Sequence, residues 1–96
     1  MTPIGIRRAL DRALKDKHPD IHARMAEDGS LERLLKEFVD GIETRKAETR
    51  AETAEDPAWQ AIEDEDVRER EARQREEEAE GEGVLEALER IDAMRG

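Results

Sequence analysis

The chain has 96 residues, of which 35% are apolar and 46% charged, with a net charge of −10 and no cysteine. That supply makes at most one small domain with a thin core, and it excludes disulfides, thiolate nucleophiles and cysteine metal sites. Phe38 and Trp59 are its aromatic residues. Ala, Glu, Arg, Leu and Lys dominate, no run alternates apolar and polar residues for long, and the fold class expected is all-α.

Thr2 and Pro3 read as a cap and first helical position, followed by Ile6, Leu10, Ala13 and Leu14 on one face of a helix that ends near Lys17. Pro19 stops that helix, because the residue before a proline is pushed out of the α region. A short second helix is expected from Asp20 to Glu27, closed by Gly29, with Ser30 capping a third. Leu31, Leu34, Leu35, Phe38, Val39 and Ile42 then repeat at helical spacing, the best periodic signal in the chain. Helix 3 should pack Leu31, Leu34, Leu35, Phe38 and Val39 on Ile6, Leu10, Leu14, Ile21 and Met25.

Beyond Ile42 only alanines continue the stripe, which predicts an exposed helical extension or a linker. Asp56-Pro57 is a second cap signature, with Trp59 and Ile62 three apart behind it. Gly81 and Gly83 read as a helix break. Val84, Leu85, Leu88, Ile91 and Met94 then form a last amphipathic turn or two. The expected layout is a helical hairpin or small bundle over 1–45 and a long charged helical arm or linker over 46–83. A short C-terminal helix over 84–96 follows.

Charge is divided unevenly. Residues 1–50 hold 11 Lys and Arg against 10 Asp and Glu, a net of +1; residues 51–96 hold 6 against 17, a net of −11, and no lysine. Inside the arm, Asp64–Arg68, Asp66–Arg70, Glu69–Arg73 and Glu71–Arg75 are i, i+4 pairs with the acid first, each worth roughly a few tenths of a kcal/mol in an isolated helix. A solvated charged helix is the favoured reading, and disorder the alternative that composition allows. Extending a heptad from Trp59 and Ile62 puts charged residues on the seam, which argues against a coiled coil in that register.

Few constellations suggest chemistry. His18 and His22 are four apart, as zinc ligands on a helix would be, but Pro19 starts a new helix between them. The reading is a pair of surface or capping histidines, with no metal and no cofactor. Carboxylates on solvated helices lack the pocket that would separate two pKa values for acid–base work, and no phosphate loop or nucleophile elbow occurs. The chain is therefore read as non-enzymatic. The basic stretch at Arg7, Arg8, Arg12 and Lys15 and the helix–EDGS–helix connection suit a helix-turn-helix in length. The overall charge and the apolar face of the third helix weigh against direct nucleic-acid binding.

The segment LKDKHPDIHARMAEDGSLERLL, Leu14 to Leu35, resembles a pattern in TnpV, a transposon-encoded family of unknown function. The shared elements are Leu-Lys, a His-Pro helix start and a Gly-x-Leu before the next helix. The resemblance covers about a quarter of the chain. It implies a mobile-element origin and carries over no functional residue.

What remains is the acidic half. Residues 63–80, as a helix about 27 Å long, carry ten acids and four arginines, or one net charge per about 4.5 Å. Duplex DNA carries one per about 1.7 Å, so charge density alone does not make a faithful nucleic-acid mimic. Two less compensated clusters, Glu63–Asp66 and Glu76, Glu77, Glu78, Glu80 and Glu82, could still meet a basic groove, with Trp59 as apolar anchor. The expected partner-binding residues are Trp59, Glu63, Asp64, Glu65, Asp66, Glu76, Glu77, Glu78 and Glu80. Ile62, Leu85, Leu88, Ile91 and Met94 have little partner surface in a thin monomer, so they are the expected oligomerisation set of a homodimer. The functional expectation is a small acidic inhibitor or regulator of a nucleic-acid-binding protein, phage- or mobile-element-encoded; a helical adaptor or scaffold is the alternative. Ile4 and Ile6 run straight into Arg7 and Arg8, with no apolar stretch of a secretory signal and none long enough for a membrane, so the cytoplasm is the expected compartment.

Overall fold

A computed structural model describes residues 1–95 and is all-α: five helices and no strand among the described residues. They are α1 Pro3–Lys17, α2 Pro19–Asp28, α3 Ser30–Glu55, α4 Pro57–Gln60 and α5 Glu65–Ala93. The molecule is a rod of 53 × 19 × 18 Å. Its length is set by α3 and α5, which run antiparallel side by side; 29 residues of α5 alone span about 43 Å.

Local signals set the boundaries. The Thr2 hydroxyl accepts a hydrogen bond from Gly5 N at 3.0 Å and Pro3 occupies the first turn of α1. α2 starts at Pro19 and closes on Gly29, whose φ of 82° is the left-handed conformation that glycine adopts without a Cβ penalty. Ser30 is the first residue of α3 rather than its cap; the Asp28 carboxylate accepts from Ser30 N at 2.8 Å and fills that role. Asp56 caps α4 by accepting from Ala58 N at 3.0 Å, and Asp64 caps α5 by accepting from Asp66 N at 2.9 Å.

One end of the rod is a head. Ile6, Leu10 and Leu14 of α1, Ile21 of α2, and Leu31, Leu35, Phe38 and Ile42 of α3 form its core, as the periodicity requires. Met25, Leu34 and Val39 pack around it, half-buried. Ala87 and Ile91 of α5 complete it, with Val84, Leu88 and Met94 against its edge. Burying a Leu or Ile side chain contributes roughly 1.5–3 kcal/mol, so most of the apolar stabilisation lies here. The Arg90 guanidinium sits 4.9 Å from the centre of the Phe38 ring and covers it.

The other end is a stalk, made of the C-terminal half of α3, the short α4 and the N-terminal half of α5. Here the division expected at residues 45, 83 and 84 fails. α3 continues unbroken to Glu55, and α5 runs through Gly81 and Gly83 without a break. Gly83 is buried against Ile42, and a Cβ built on it would stand 2.9 Å from Ile42 Cγ1. The glycine read as a break is where α5 packs directly on α3, with no room for a side chain. The arm does not project; it folds back along α3, and its C-terminal turns enter the core. Ile91 is fully buried inside one chain, so it is not free for the expected dimer interface, while Leu88 and Met94 are half-buried against the same core.

Candidate acidic interaction surface

The α3–α5 seam explains where the carboxylates go. Along α5 the residues facing α3 are Ala72, Ala79, Gly83 and Ala87, small enough to bring the helices together, and Glu76 and Glu80 beside them. Opposite stand Lys46, Thr49, Arg50 and Thr53. Thr53 is buried, and its hydroxyl is satisfied by donating to Thr49 O at 2.8 Å. The seam of the stalk is thus polar, in a register that an apolar stripe would not reveal.

Glu80 is 8% exposed. Its carboxylate lies 3.1 Å from Lys46 Nζ and 3.0 Å from the Met1 ammonium. Burial alone pushes this carboxyl up, but the hydrogen bonds from Met1 and Lys46 outweigh that and hold it below the usual glutamate range. Glu80 raises Lys46 by accepting its hydrogen bond, against the opposing effect of burial. One turn along, Arg50 Nε donates to Glu76 at 2.6 Å. Glu76 and Glu80, two of the expected partner-binding residues, are therefore occupied inside the molecule. Glu77 lies on the same flank, an open depression where Lys46, Arg50 and Arg73 meet Glu76, Glu77 and Glu80 in nearly balanced charge.

The opposite flank is different. Thr49, Glu52, Thr53, Asp56, Arg75, Glu78, Ala79 and Glu82 line an open groove between α3 and α5. Arg75 closes one end by bridging Asp56 at 2.9 Å and Glu71 at 3.2 Å. Arg45 and Glu86 clasp the helices at 2.9 Å towards the head. Asp56 is held below the usual aspartate range, first by the backbone hydrogen bond from Ala58 and then by Arg75. Glu52, Glu78 and Glu82 form no ion pair among the described residues, and their carboxylates share the groove with one arginine already committed elsewhere.

The first acidic cluster lies at the α4–α5 corner, about 14 Å along α5 from Arg75 at the near end of this groove and about 18 Å from Glu78. Glu63, Asp64, Glu65 and Asp66 are all exposed. Asp64 is spent on the cap, while Glu65 and Asp66 sit in the first turn, where the helix dipole favours acids. Trp59 is half-buried rather than presented as an anchor: its indole N–H donates to Arg68 O at 2.9 Å, and the Arg68 guanidinium lies 5.8 Å from the ring centre. Ile62 is half-buried in the same corner. Of the four expected i, i+4 pairs, Glu71–Arg75 forms at 3.2 Å, whereas Arg68 reaches Glu65 at 3.9 Å because Asp64 lies outside the helix.

The structure places the two expected acidic clusters apart along α5, and the expected set lacked Glu52. The signal was present: Ala-Glu-Thr at 47–49 recurs at 51–53, and that spacing of four keeps Thr49 and Thr53 on one face with Glu52 at its edge. The histidines take separate partners. His18 Nε2 donates to Ile91 O at 2.8 Å, and His22 Nε2 donates to Asp11 at 2.7 Å. No group of three potential metal ligands occurs among the described residues, and no helix among them is long and apolar enough to cross a membrane. Comparison with protein families, curated proteins and solved structures finds no match for this chain.

Proposed function

We propose that this protein is a non-enzymatic binding protein whose acidic α3–α5 groove engages the basic surface of a nucleic-acid-binding protein and so inhibits or regulates it. The observation that carries this reading is the sorting of charge between the two flanks. Lysine and arginine from α3 neutralise Glu76 and Glu80 on one side, leaving Glu52, Glu78 and Glu82 uncompensated on the other. A surface kept acidic only for solubility needs no such sorting. Carboxylates in a groove flanked by helix walls focus their field on a cationic partner more than carboxylates on a convex face do. The resemblance of residues 14–35 to TnpV is consistent with a mobile-element origin for such a regulator.

The test is affinity capture from a cell lysate, with mass spectrometry of the bound proteins, using the wild type and the triple variant Glu52→Lys, Glu78→Lys, Glu82→Lys as baits. Nucleic-acid-binding proteins should be retained by the wild type at physiological salt, released steeply as salt rises, and lost with the triple variant. The quadruple reversal of Glu63, Asp64, Glu65 and Asp66 to lysine should matter less. A bound set indifferent to salt and to the triple variant would replace this reading with the second one, a helical adaptor. That alternative draws on the exposed apolar side chains Ile4 and Leu85.

A further inference from the structure

The basic and apolar features of the head have no role in the acidic groove. Pro3 and Ile4 at the start of α1 and Val39 on α3 form an apolar trough of about 410 Å³. Arg7, Arg33 and Lys36 rim it. Arg7 is paired with Glu32, and Lys36 with Asp40 at 2.7 Å, so the rim carries a net +1 in a chain whose total is −10. Ile4 is 65% exposed and lines the trough, so its side chain is open to a partner there.

On α5 a knob answers it. Leu85 is 60% exposed and, two residues past the buried Gly83, points away from α3. Four residues before it stands Gly81, where a Cβ would meet nothing within 4 Å. Unlike Gly83, this glycine has no close contact inside the chain to account for it, and it leaves the backbone beside Leu85 bare. Glu82, Glu86 and Glu89 surround Leu85 at i−3, i+1 and i+4. Glu86 is paired with Arg45 at 2.9 Å, which leaves Glu82 and Glu89, so the patch is apolar at its centre with a net −2 rim that complements the +1 rim of the trough.

We infer that the trough of one protein molecule receives Leu85 of a second copy, in a head-to-tail contact between the α1–α3 face and the outer face of α5. In this head-to-tail arrangement the copy that gives its trough keeps its Leu85 free and the copy that gives Leu85 keeps its trough free, so the contact can repeat. Of the five side chains expected to mediate self-association, Leu85 is the one left exposed. The inference does not rest on the acidic-groove reading, although Glu82 borders both surfaces, and the variants that test it leave Glu52, Glu78 and Glu82 in place.

Sedimentation of the full chain decides the matter, with Ile4→Asp and Leu85→Asp as variants of exposed residues and circular dichroism melts as the control on folding. The wild type should grow in mean mass with concentration through the high micromolar range, and less so at high salt. Each variant alone should lose self-affinity at least tenfold. Mixed one to one, the two variants should form a pair and stop there, because one retains the knob and the other the trough. A monomeric wild type, a wild type that stops at two copies, variants that associate unchanged, or a mixture that stays monomeric would each overturn the inference.

Discussion

In the head, Ile42 of α3 and Ile91 of α5 close on apolar side chains from α1 and α2; farther along the same helix pair, Lys46 faces Glu80 and a buried Thr53 stands where the head would have an apolar residue. The head is four segments thick and excludes water on all sides of its core. The stalk is two helices wide, so a seam residue there can reach solvent with its polar end while its carbons pack. That difference in thickness lets one pair of helices carry two chemistries, and it frees the stalk's outer flank to be acidic.

The largest effect should follow from opening the head. Leu35 is almost fully buried at the centre of the core, and Leu35→Ala should cost about 2–4 kcal/mol, read as a lowered urea midpoint. An unchanged midpoint would remove the proposed core. Next comes the junction of head and stalk. Gly83→Ala places a methyl 2.9 Å from the stiff, β-branched Ile42, and the overpacking should exceed the gain in helix propensity for a net loss of about 1–2 kcal/mol. A more stable Gly83→Ala would mean that the helices do not touch there.

The head was legible in the sequence because its core uses large side chains at helical spacing, and Ile6, Leu10, Leu14, Leu35 and Phe38 all lie where that spacing puts them. The stalk was not. Its seam is written in Ala72, Ala79, Gly83, Thr49 and Thr53, residues too small or too polar to register as a stripe, and its partners are separated by some thirty residues of chain. Glycine is ambiguous at the level of sequence: Gly81 and Gly83 looked alike as breakers, while one marks a close approach and the other an open surface. The acidic groove was half visible, through Glu78 and Glu82, and its third member waited on knowing that α5 folds back on α3.

A smaller effect should report on the ionic seam. Glu80→Gln keeps a hydrogen-bond acceptor for Lys46 but removes the charge, and charged hydrogen bonds exceed neutral ones by about 1 kcal/mol, the loss expected at neutral pH. Glu80 and Asp56 are held below their ordinary values of 4.5 and 3.8 in the folded state. Their contribution is therefore complete above those values and disappears as pH falls through the lowered folded ones. Wild-type stability should drop on acidification below about pH 4.5, and the Glu80→Gln variant should drop less over the same range. Parallel acid profiles for the two proteins would mean that Glu80 is solvated.

The smallest change expected separates the two glycines. Gly81 lies in the middle of α5 on the exposed side, and a Cβ there meets no atom within 4 Å. Alanine has the higher helix propensity by roughly 1 kcal/mol and restricts the unfolded chain, so Gly81→Ala should stabilise by about 0.5–1 kcal/mol at protein concentrations too low for self-association. The sign is what matters. Opposite signs at positions 81 and 83, two residues apart on one continuous helix, can arise only if α5 is helical through both and presses a single face on α3. A break between them, or an arm free of α3, would make the two substitutions behave alike. The pair of variants therefore tests whether the stalk is a packed element of the fold, the condition on which the acidic groove depends.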